Sequence, residues 1–90
     1  MQIEITKRFG KQVNQCRDVN IRDKLSIIIR DIQKAHNLSE IRNLKKLKGA
    51  KDFYRIRIVN YRVGLAYRDG IVILAAFDHR SDIYHRFSRQ

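Results

Sequence analysis

Polar and apolar residues alternate one by one through two neighbouring segments of the chain, residues 54–58 and 61–68. Successive side chains of a β-strand point to opposite faces, so a period of two predicts two strands that each have one apolar face. The other face carries Arg55 and Arg57 in the first segment and Arg62 in the second. We therefore expect one face to build a core, while the cationic face calls for an anionic partner.

Two turns divide this region into three antiparallel strands. Val59 and Asn60 link the first strand to the second. Asp69 and Gly70 are a strong hairpin signal, because both residue types tolerate the positive φ that a tight turn needs. Residues 71–77 are apolar throughout, which is typical of a strand buried on both faces. The sequence thus predicts a three-stranded meander, followed over residues 78–90 by a loop and a short terminal helix or tail.

The N-terminal half predicts one short strand and a first helix. Residues 1–5 alternate in polarity, which favours a strand. From Thr6 onward, apolar residues recur at Phe9, Val13 and Cys16, and this spacing places them on one face of a helix. Cys16 is expected to be a small buried residue of that face.

A second helix is predicted after an N-cap at Asn20, with the acidic residue Asp23 three positions later. Its apolar stripe consists of Ile21, Leu25, Ile28, Ile29, Ile32 and Ala35. The helix is expected to end near His36 and Asn37, where the apolar period stops and Asn can adopt a left-handed cap. Residues 40–51, rich in lysine, are expected to cross the sheet edge with their leucines in the core and their lysines in solvent.

These elements predict a single α+β domain over residues 1–90: a short N-terminal strand, two helices packed on a mainly antiparallel sheet, and a C-terminal three-stranded meander. A chain of 90 residues is short of the length at which a second core forms. The single cysteine excludes an internal disulfide, and neither a membrane-spanning apolar run nor a secretion signal is recognisable. We expect a cytoplasmic protein without a membrane partner.

The formal net charge of +11 on 90 residues is large, and such self-repulsion points to a polyanionic partner. Nucleic acid is favoured over a membrane surface, because the basic residues are spread over predicted helices, loops and strands. They do not gather on one face of a single amphipathic helix.

Strand register brings the arginines together. With the first turn at Val59, Arg57 lies opposite Arg62 and Arg55 lies opposite Gly64. Like charges directly opposite each other are destabilising, so this arrangement indicates a compensating anion or a functional role.

With the second turn at Asp69, Gly64 is expected opposite Ala75 and Arg62 opposite Phe77. The arginines would then ring a shallow basin with a floor of small side chains, beside the Phe77 ring on which a base could stack. The tail would bring its polar residues to the rim, namely Asp78, His79, Arg80 and Tyr84.

A histidine, several arginines and a tyrosine around one phosphate-sized space suit phosphodiester chemistry. Since no Asp, Glu, His and Cys cluster has metal-ligand spacing, we expect no metal and no cofactor. In RNA, the 2′-OH of the substrate would attack the adjacent phosphate. Each residue also has a structural alternative: the arginine face could dock a peptide, His79 could cap the strand end, and Tyr84 could pack in the core.

The ordered set of segments LKKLKG, FYRIRIVNYRVGLAY, a DG hairpin, IVILAAF and HRSDIY resembles the RelE/ParE superfamily of toxins from type II toxin–antitoxin modules. The resemblance covers almost the whole chain. It implies a toxin that cleaves mRNA on the ribosome through 2′-OH attack and so inhibits translation. It also implies a cognate antitoxin as partner, in a possible hetero-oligomer.

The resemblance further implies roles for individual residues. Arg57, Arg62, His79, Arg80 and Tyr84 form the expected catalytic set. Arg62 would bind the phosphate, Arg80 would stabilise or protonate the leaving group, and Tyr84 would orient the base. The expected RNA contacts are Lys45, Lys46, Lys48, Arg55, Phe77 and His85.

Arg57 occupies the place where relatives offer a lysine or a glutamate as general base, and a guanidinium does not readily accept a proton. His79, or else His85, would then move the proton. Two alternatives stay open: poisoning of DNA gyrase without RNA cleavage, as in the ParE branch, and a module that binds nucleic acid without chemistry.

Overall fold

The computed structural model describes residues 1–49 and 51–79. In this part of the chain the elements are β1 (Gln2–Ile5), α1 (Lys7–Gln15), α2 (Val19–Lys34), a 3-10 turn (Leu38–Glu40), β2 (Leu44–Lys46), β3 (Phe53–Ile58), β4 (Tyr61–Arg68) and β5 (Ile71–His79). The strands form one sheet in the order β1-β5-β4-β3-β2. β1 pairs with β5 in parallel, and the β5–β4, β4–β3 and β3–β2 pairs are antiparallel. The predicted α+β fold with its C-terminal meander is confirmed, and β2 adds a short edge strand that the sequence did not indicate.

The first helix begins where a side chain satisfies its backbone, and it ends at its C-cap Cys16, whose amide donates to the Val13 carbonyl. Thr6 is the N-cap: its hydroxyl accepts from the Phe9 amide at 3.2 Å and donates to the Leu74 carbonyl of β5 at 3.0 Å. The cap therefore also ties α1 to the sheet. Phe9 and Cys16 are 2% and 4% exposed, as their helical spacing predicts.

The predicted ends of the second helix are wrong. Asp18, not Asn20, is the N-cap, because its carboxylate accepts from the Asn20 and Ile21 amides. The helix then ends at Lys34, and its C-cap Ala35 has extended backbone angles, φ −69° and ψ 146°. Asn37 instead caps the following 3-10 turn, where its side chain accepts from the Ser39 amide.

Both helices pack on the same face of the sheet. The fully buried residues at this contact include Ile32 of α2, Ile56 of β3, Val63 and Leu65 of β4, and Val72 and Leu74 of β5. Burial of each such side chain contributes about 1.5–3 kcal/mol. The sheet face opposite the helices carries the alternate residues of β3 and β4, and these include the arginines.

The two hairpins fix the register across the sheet. Val59 and Asp69 have positive φ values of 56° and 52°, and the predicted turns are confirmed. Arg57 pairs with Arg62 and Arg55 with Gly64, also as predicted.

The predicted pairing between β4 and β5 is wrong beyond Leu65. A β-bulge between Gly64 and Leu65 leaves Ala75 as an extra residue, because Leu65 pairs with Leu74 and Gly64 with Ala76. An extra residue in one strand reverses the face of every residue that follows it. Arg62 therefore lies opposite Asp78 instead of Phe77.

Within residues 1–49 and 51–79, no helix has the length and apolar character that crossing a membrane requires.

Candidate nucleic-acid interface

Four basic side chains share the sheet face opposite the helices. Lys45 of β2 lies directly across from Arg55 of β3, and Arg57 of β3 lies across from Arg62 of β4. Residues that pair directly share a face, and so do residues two apart in one strand. We call Lys45, Arg55, Arg57 and Arg62 the cationic face. It spans three adjacent strands.

Arg57 and Arg62 converge on one backbone oxygen. The Nε of Arg57 and the Nη1 of Arg62 each lie 3.5 Å from the carbonyl oxygen of Val59, and Nη1 also donates to the carbonyl of Tyr61 at 3.0 Å. The β3–β4 turn thus holds two like charges close together. Val59 itself adopts the left-handed region at φ 56°, which is costly for a β-branched residue.

Arg62 is the buried member of the cationic face. Arg62 is only 6% exposed, and its Nε has no hydrogen-bond acceptor within the described part of the chain. A buried donor that stays unpaired costs about 1–3 kcal/mol. An oxyanion placed beside Arg62 would relieve this cost, and a guanidinium can hold a phosphate with two parallel hydrogen bonds.

A cavity of about 360 Å³ opens on the cationic face. It is lined by Asn43, Lys45, Arg55, Arg57 and Val59. Every charged side chain among these residues is basic, so the cavity favours an anion with several oxygens. The small residues Gly64, Ala66 and Ala76 are buried on the same sheet face as Arg62.

Among the described residues, Phe53 places an aromatic side chain on this face. It pairs with Ala66, is partly exposed, and packs with Leu47 against Ala76. Phe53 was not among the predicted site residues, although strand alternation places it two residues before Arg55 and so on the same face. Phe53 therefore places an aromatic ring on the same sheet face as the cations.

Phe77 lies on the helix side of the sheet, contrary to the prediction, because the bulge reverses its face. It is 2% exposed, stacks on Tyr61 at 4.9 Å between ring centroids, and meets Phe9 edge-on at 6.2 Å. The expectation that Phe77 offers its ring beside the arginines is therefore wrong.

His79 also lies on the helix side of β5. It pairs with Tyr61, and the two rings meet edge-on with their centroids 6.0 Å apart. His79 is exposed at the end of the strand. The sheet therefore separates it from Arg57 and Arg62, which corrects the expected position of His79 on the rim of the basin.

Tyr61 has a raised pKa. The largest cause is loss of hydration on burial, and the neighbouring Cys16 thiol and Asp18 carboxylate act in the same direction. The phenol therefore stays protonated beyond its ordinary range.

Asp78 takes the place expected for Phe77, opposite Arg62, and is 7% exposed. Gln12 of α1 holds this end of β5: its Nε2 donates to Oδ1 of Asp78, and its Oε1 accepts from the Phe77 amide at 2.8 Å. β1 pairs with β5 only as far as Leu74, so the Gln12 side chain serves the strand edge beyond it. Gln12 could not be predicted from the sequence, because nothing in the α1 pattern distinguishes it from other polar positions.

The other two lysines that were predicted to contact RNA do not lie on the cationic face. Lys46 pairs with Tyr54 and so faces the helix side, and Lys48 is exposed after the end of β2. Arg80, Tyr84 and His85 lie outside the described residues, and their predicted roles stay predictions. Over residues 1–49 and 51–79, no group of three His, Cys, Asp or Glu side chains is arranged to hold a metal ion.

Comparison with known proteins identifies the family. The chain is 32% identical over 88 residues to the toxin RelE3 of Methanocaldococcus jannaschii, covering 97% of this chain and 99% of that protein. It also matches the RelE chain fold in the crystal structure of the RelB–RelE antitoxin–toxin complex from Methanococcus jannaschii. That match has a TM-score of 0.81 and 31% identity, and it covers 93% of this chain and 98% of the other.

The intact RelBE toxin–antitoxin complex of E. coli shares the fold at a TM-score of 0.69 and 18% identity, covering 87% of this chain and 94% of that one. No protein-family model matches the chain. The sequence identity to RelE3, over nearly the full length of both proteins, is sufficient to assign the chain to a family. The chain belongs to the RelE family of toxins.

Proposed function

We propose that this RelE-family toxin inhibits translation by cleaving mRNA on the ribosome, in a reaction that needs no metal ion. The observation that carries the proposal is the Arg57–Arg62 pair, whose guanidinium groups share the Val59 carbonyl while the buried Nε of Arg62 has no acceptor among the described residues. Two cations held together with an unused donor favour a bound phosphate.

In the proposed reaction the 2′-oxygen of the RNA bonds to the adjacent phosphorus, and the bond from phosphorus to the 5′-oxygen of the next nucleotide breaks. The products are a 2′,3′-cyclic phosphate and a 5′-hydroxyl. Negative charge grows on the phosphoryl oxygens in the transition state, and preorganised donors aimed at that charge lower the barrier. Arg57 and Arg62 supply these donors, while Lys45 and Arg55 hold neighbouring phosphates.

The proton transfers are assigned to other groups, because Arg57 cannot readily accept a proton. As the family resemblance implies, Arg80 would stabilise or protonate the leaving 5′-oxygen and Tyr84 would stack on the substrate base. Of the two histidines that the resemblance offers for proton transfer, His79 is separated from Arg62 by the sheet, so the proposal assigns the transfer to His85.

A cognate antitoxin is the second proposed partner. The RelE chains of Methanococcus jannaschii and E. coli form complexes with RelB in their crystal structures. A chain with a net charge of +11 suits an acidic protein that competes with RNA for the same cations.

The chemistry of the new RNA ends tests this function. Ribosomes that carry a defined mRNA are incubated with the purified chain, and the fragments are examined for cyclic phosphate and 5′-hydroxyl ends. An mRNA with one 2′-deoxynucleotide at the cut position is the control and should resist cleavage. Fragments with 5′-phosphate ends would contradict 2′-OH attack. Intact mRNA together with loss of gyrase supercoiling would replace the proposal with gyrase poisoning.

A further inference from the structure

Asp78 is a buried carboxylate that the proposed reaction does not use. It is 7% exposed and lies on β5 directly opposite Arg62 of β4, which is 6% exposed. Directly opposed residues lie on one face of the sheet with their Cβ atoms about 4.5–5.5 Å apart. Charged side chains are rarely buried unless an opposite charge lies nearby, so each of these two groups makes the burial of the other less costly.

The β-bulge in the β4–β5 pair brings Asp78 to this position. It leaves Ala75 as an extra residue of β5. In a regular pairing Phe77 would lie opposite Arg62, and Asp78 would face the helix side. Bulges are common next to functional sites, where they redirect a side chain. The bulge therefore places a carboxylate, instead of an aromatic ring, across from the buried arginine.

Gln12 of α1 fixes the Asp78 carboxylate from the edge of the sheet. Its Nε2 donates to Oδ1 of Asp78, while its Oε1 accepts from the Phe77 amide at 2.8 Å. Both ends of one planar amide group are thus engaged, so the direction of the Nε2 donor is fixed. A carboxylate held by such a donor keeps one orientation towards its neighbours.

The charge of Arg62 has unlike surroundings on its two sides. Its Nη1 donates to the carbonyls of Val59 and Tyr61, at 3.5 and 3.0 Å, and both of these acceptors are neutral. Arg57 of β3 shares the Val59 carbonyl and repels the guanidinium. Because β4 lies between β3 and β5, Asp78 supplies negative charge on the side away from Arg57.

We propose that Asp78 is a positioning residue, whose carboxylate, held by Gln12, keeps the buried guanidinium of Arg62 in the orientation that receives a phosphoryl oxygen. The carboxylate does so by offsetting the repulsion from Arg57, and it transfers no proton. Donors that are fixed before the substrate binds need no reorganisation in the transition state. The positioning is a property of the free protein, and only its effect on cleavage rests on the proposed function.

The first test follows the Arg62 guanidinium without RNA or ribosomes. Its Nε–Hε signal in nitrogen-15 NMR is assigned by its loss in Arg62→Lys. In Asp78→Asn the Hε proton should exchange with water at least about tenfold faster, because the side chain is released from its position. Asp69→Asn is the matched control, since it removes the same charge from the exposed turn at the other end of β4. Unchanged exchange in Asp78→Asn, or equal acceleration in Asp69→Asn, would overturn the proposal.

Gln12→Glu is a second variant, which leaves Asp78 in place. The new carboxylate can still accept from the Phe77 amide, but it cannot donate to Asp78 and repels it. Exchange of the Arg62 Hε proton should again accelerate, whereas Gln15→Glu, at an exposed position of the same helix, should leave it unchanged. Circular dichroism confirms that each variant is folded. A folded Gln12→Glu protein with the exchange rate of the unaltered chain would contradict the proposal.

The second test measures single-turnover cleavage of ribosome-bound mRNA. Asp78→Asn should cleave at least about tenfold more slowly, while its affinity for pyrophosphate should stay equal or rise, since a negative charge beside the anion is removed. In an Arg62→Ala background the same substitution should have no further effect, because no guanidinium remains to be held.

Two outcomes of this second test would overturn the positioning role. One is an equal loss of rate in both backgrounds, which would mean that Asp78 acts independently of Arg62. The other is a parallel loss of rate and of pyrophosphate affinity, which would indicate general damage to the cationic face. If the unaltered chain cleaves no mRNA, the proposed function fails, and the NMR exchange rates alone decide whether Asp78 positions Arg62.

Discussion

Arg57 and Arg62 lie directly opposite each other on β3 and β4, and both donate to the carbonyl oxygen of Val59 at 3.5 Å. A sheet selected for stability alone would not place two arginines in this relation, because like charges across a strand pair repel. The pair therefore marks a place where function outweighs stability. It lies beside Arg55 and Lys45, so the repulsion extends over three strands.

Replacement of Arg57 should stabilise the fold. Arg57→Gln removes one of two facing charges, and the free energy of unfolding in urea should rise by about 0.2–1 kcal/mol at low ionic strength. The gain should shrink as salt screens the repulsion. Arg68→Gln is the matched control, because exposed Arg68 pairs with the neutral Ile71. Equal effects of the two substitutions at all salt concentrations would remove the repulsion argument.

An added anion should stabilise the chain through Arg62. Pyrophosphate should raise the melting temperature more than sodium chloride of equal ionic strength does, since a ligand that binds only the folded state stabilises that state. The gain should fall in Arg62→Gln, which cannot offer paired guanidinium donors. A melting temperature that rises equally in both proteins would mean that the anion acts elsewhere.

Loss of the Gln12 side chain should loosen the end of β5. Gln12→Ala leaves the Phe77 amide and the Asp78 carboxylate without the partner that Gln12 supplies, and a broken hydrogen bond at a buried group costs about 1–3 kcal/mol. Gln15→Ala, at an exposed position of the same helix, should cost much less. Urea denaturation of both variants measures the difference, and hydrogen exchange of the Phe77 amide should accelerate only in Gln12→Ala.

Alkaline pH should destabilise the fold through Tyr61. Burial raises its pKa in the folded state above the ordinary value of 10.0, so folding favours the protonated phenol. This contribution to stability is complete below pH 10 and is lost as the pH rises through the folded-state pKa. Tyr61→Phe has no such proton, so its melting temperature should fall less between pH 9 and about pH 11. Parallel falls in the two proteins would contradict the assignment.

The sequence alone could predict the cationic face, because alternation and turn chemistry suffice where the strands are regular. Val59 and Asn60 fix the β3–β4 hairpin, and that hairpin fixes Arg57 opposite Arg62. The same alternation places Phe53 beside Arg55. The position of Phe53 was therefore predictable from the sequence.

The sequence could not predict on which face of the sheet each residue after Ala75 lies. A bulge inserts one residue without any change in the apolar run, so residues 71–77 look the same with or without it. The extra residue moves Phe77 and His79 to the helix side and Asp78 to the side of Arg62. The N-cap of α2 was also predicted wrongly, because Asp18 and Asn20 are both residue types that cap helices well and the apolar pattern does not distinguish them.

The cleavage of ribosome-bound mRNA under single-turnover conditions tests the central claim most directly, with Arg57→Ala and Arg62→Ala compared against Arg68→Ala. If the Arg57–Arg62 pair stabilises the phosphoryl transition state, each of the first two variants should cleave at least about 100-fold more slowly. The Arg68→Ala variant, which removes an exposed charge from the far end of β4, should stay close to the unaltered rate. Equal rates in all three variants, or uncut mRNA with the unaltered chain, would contradict the account.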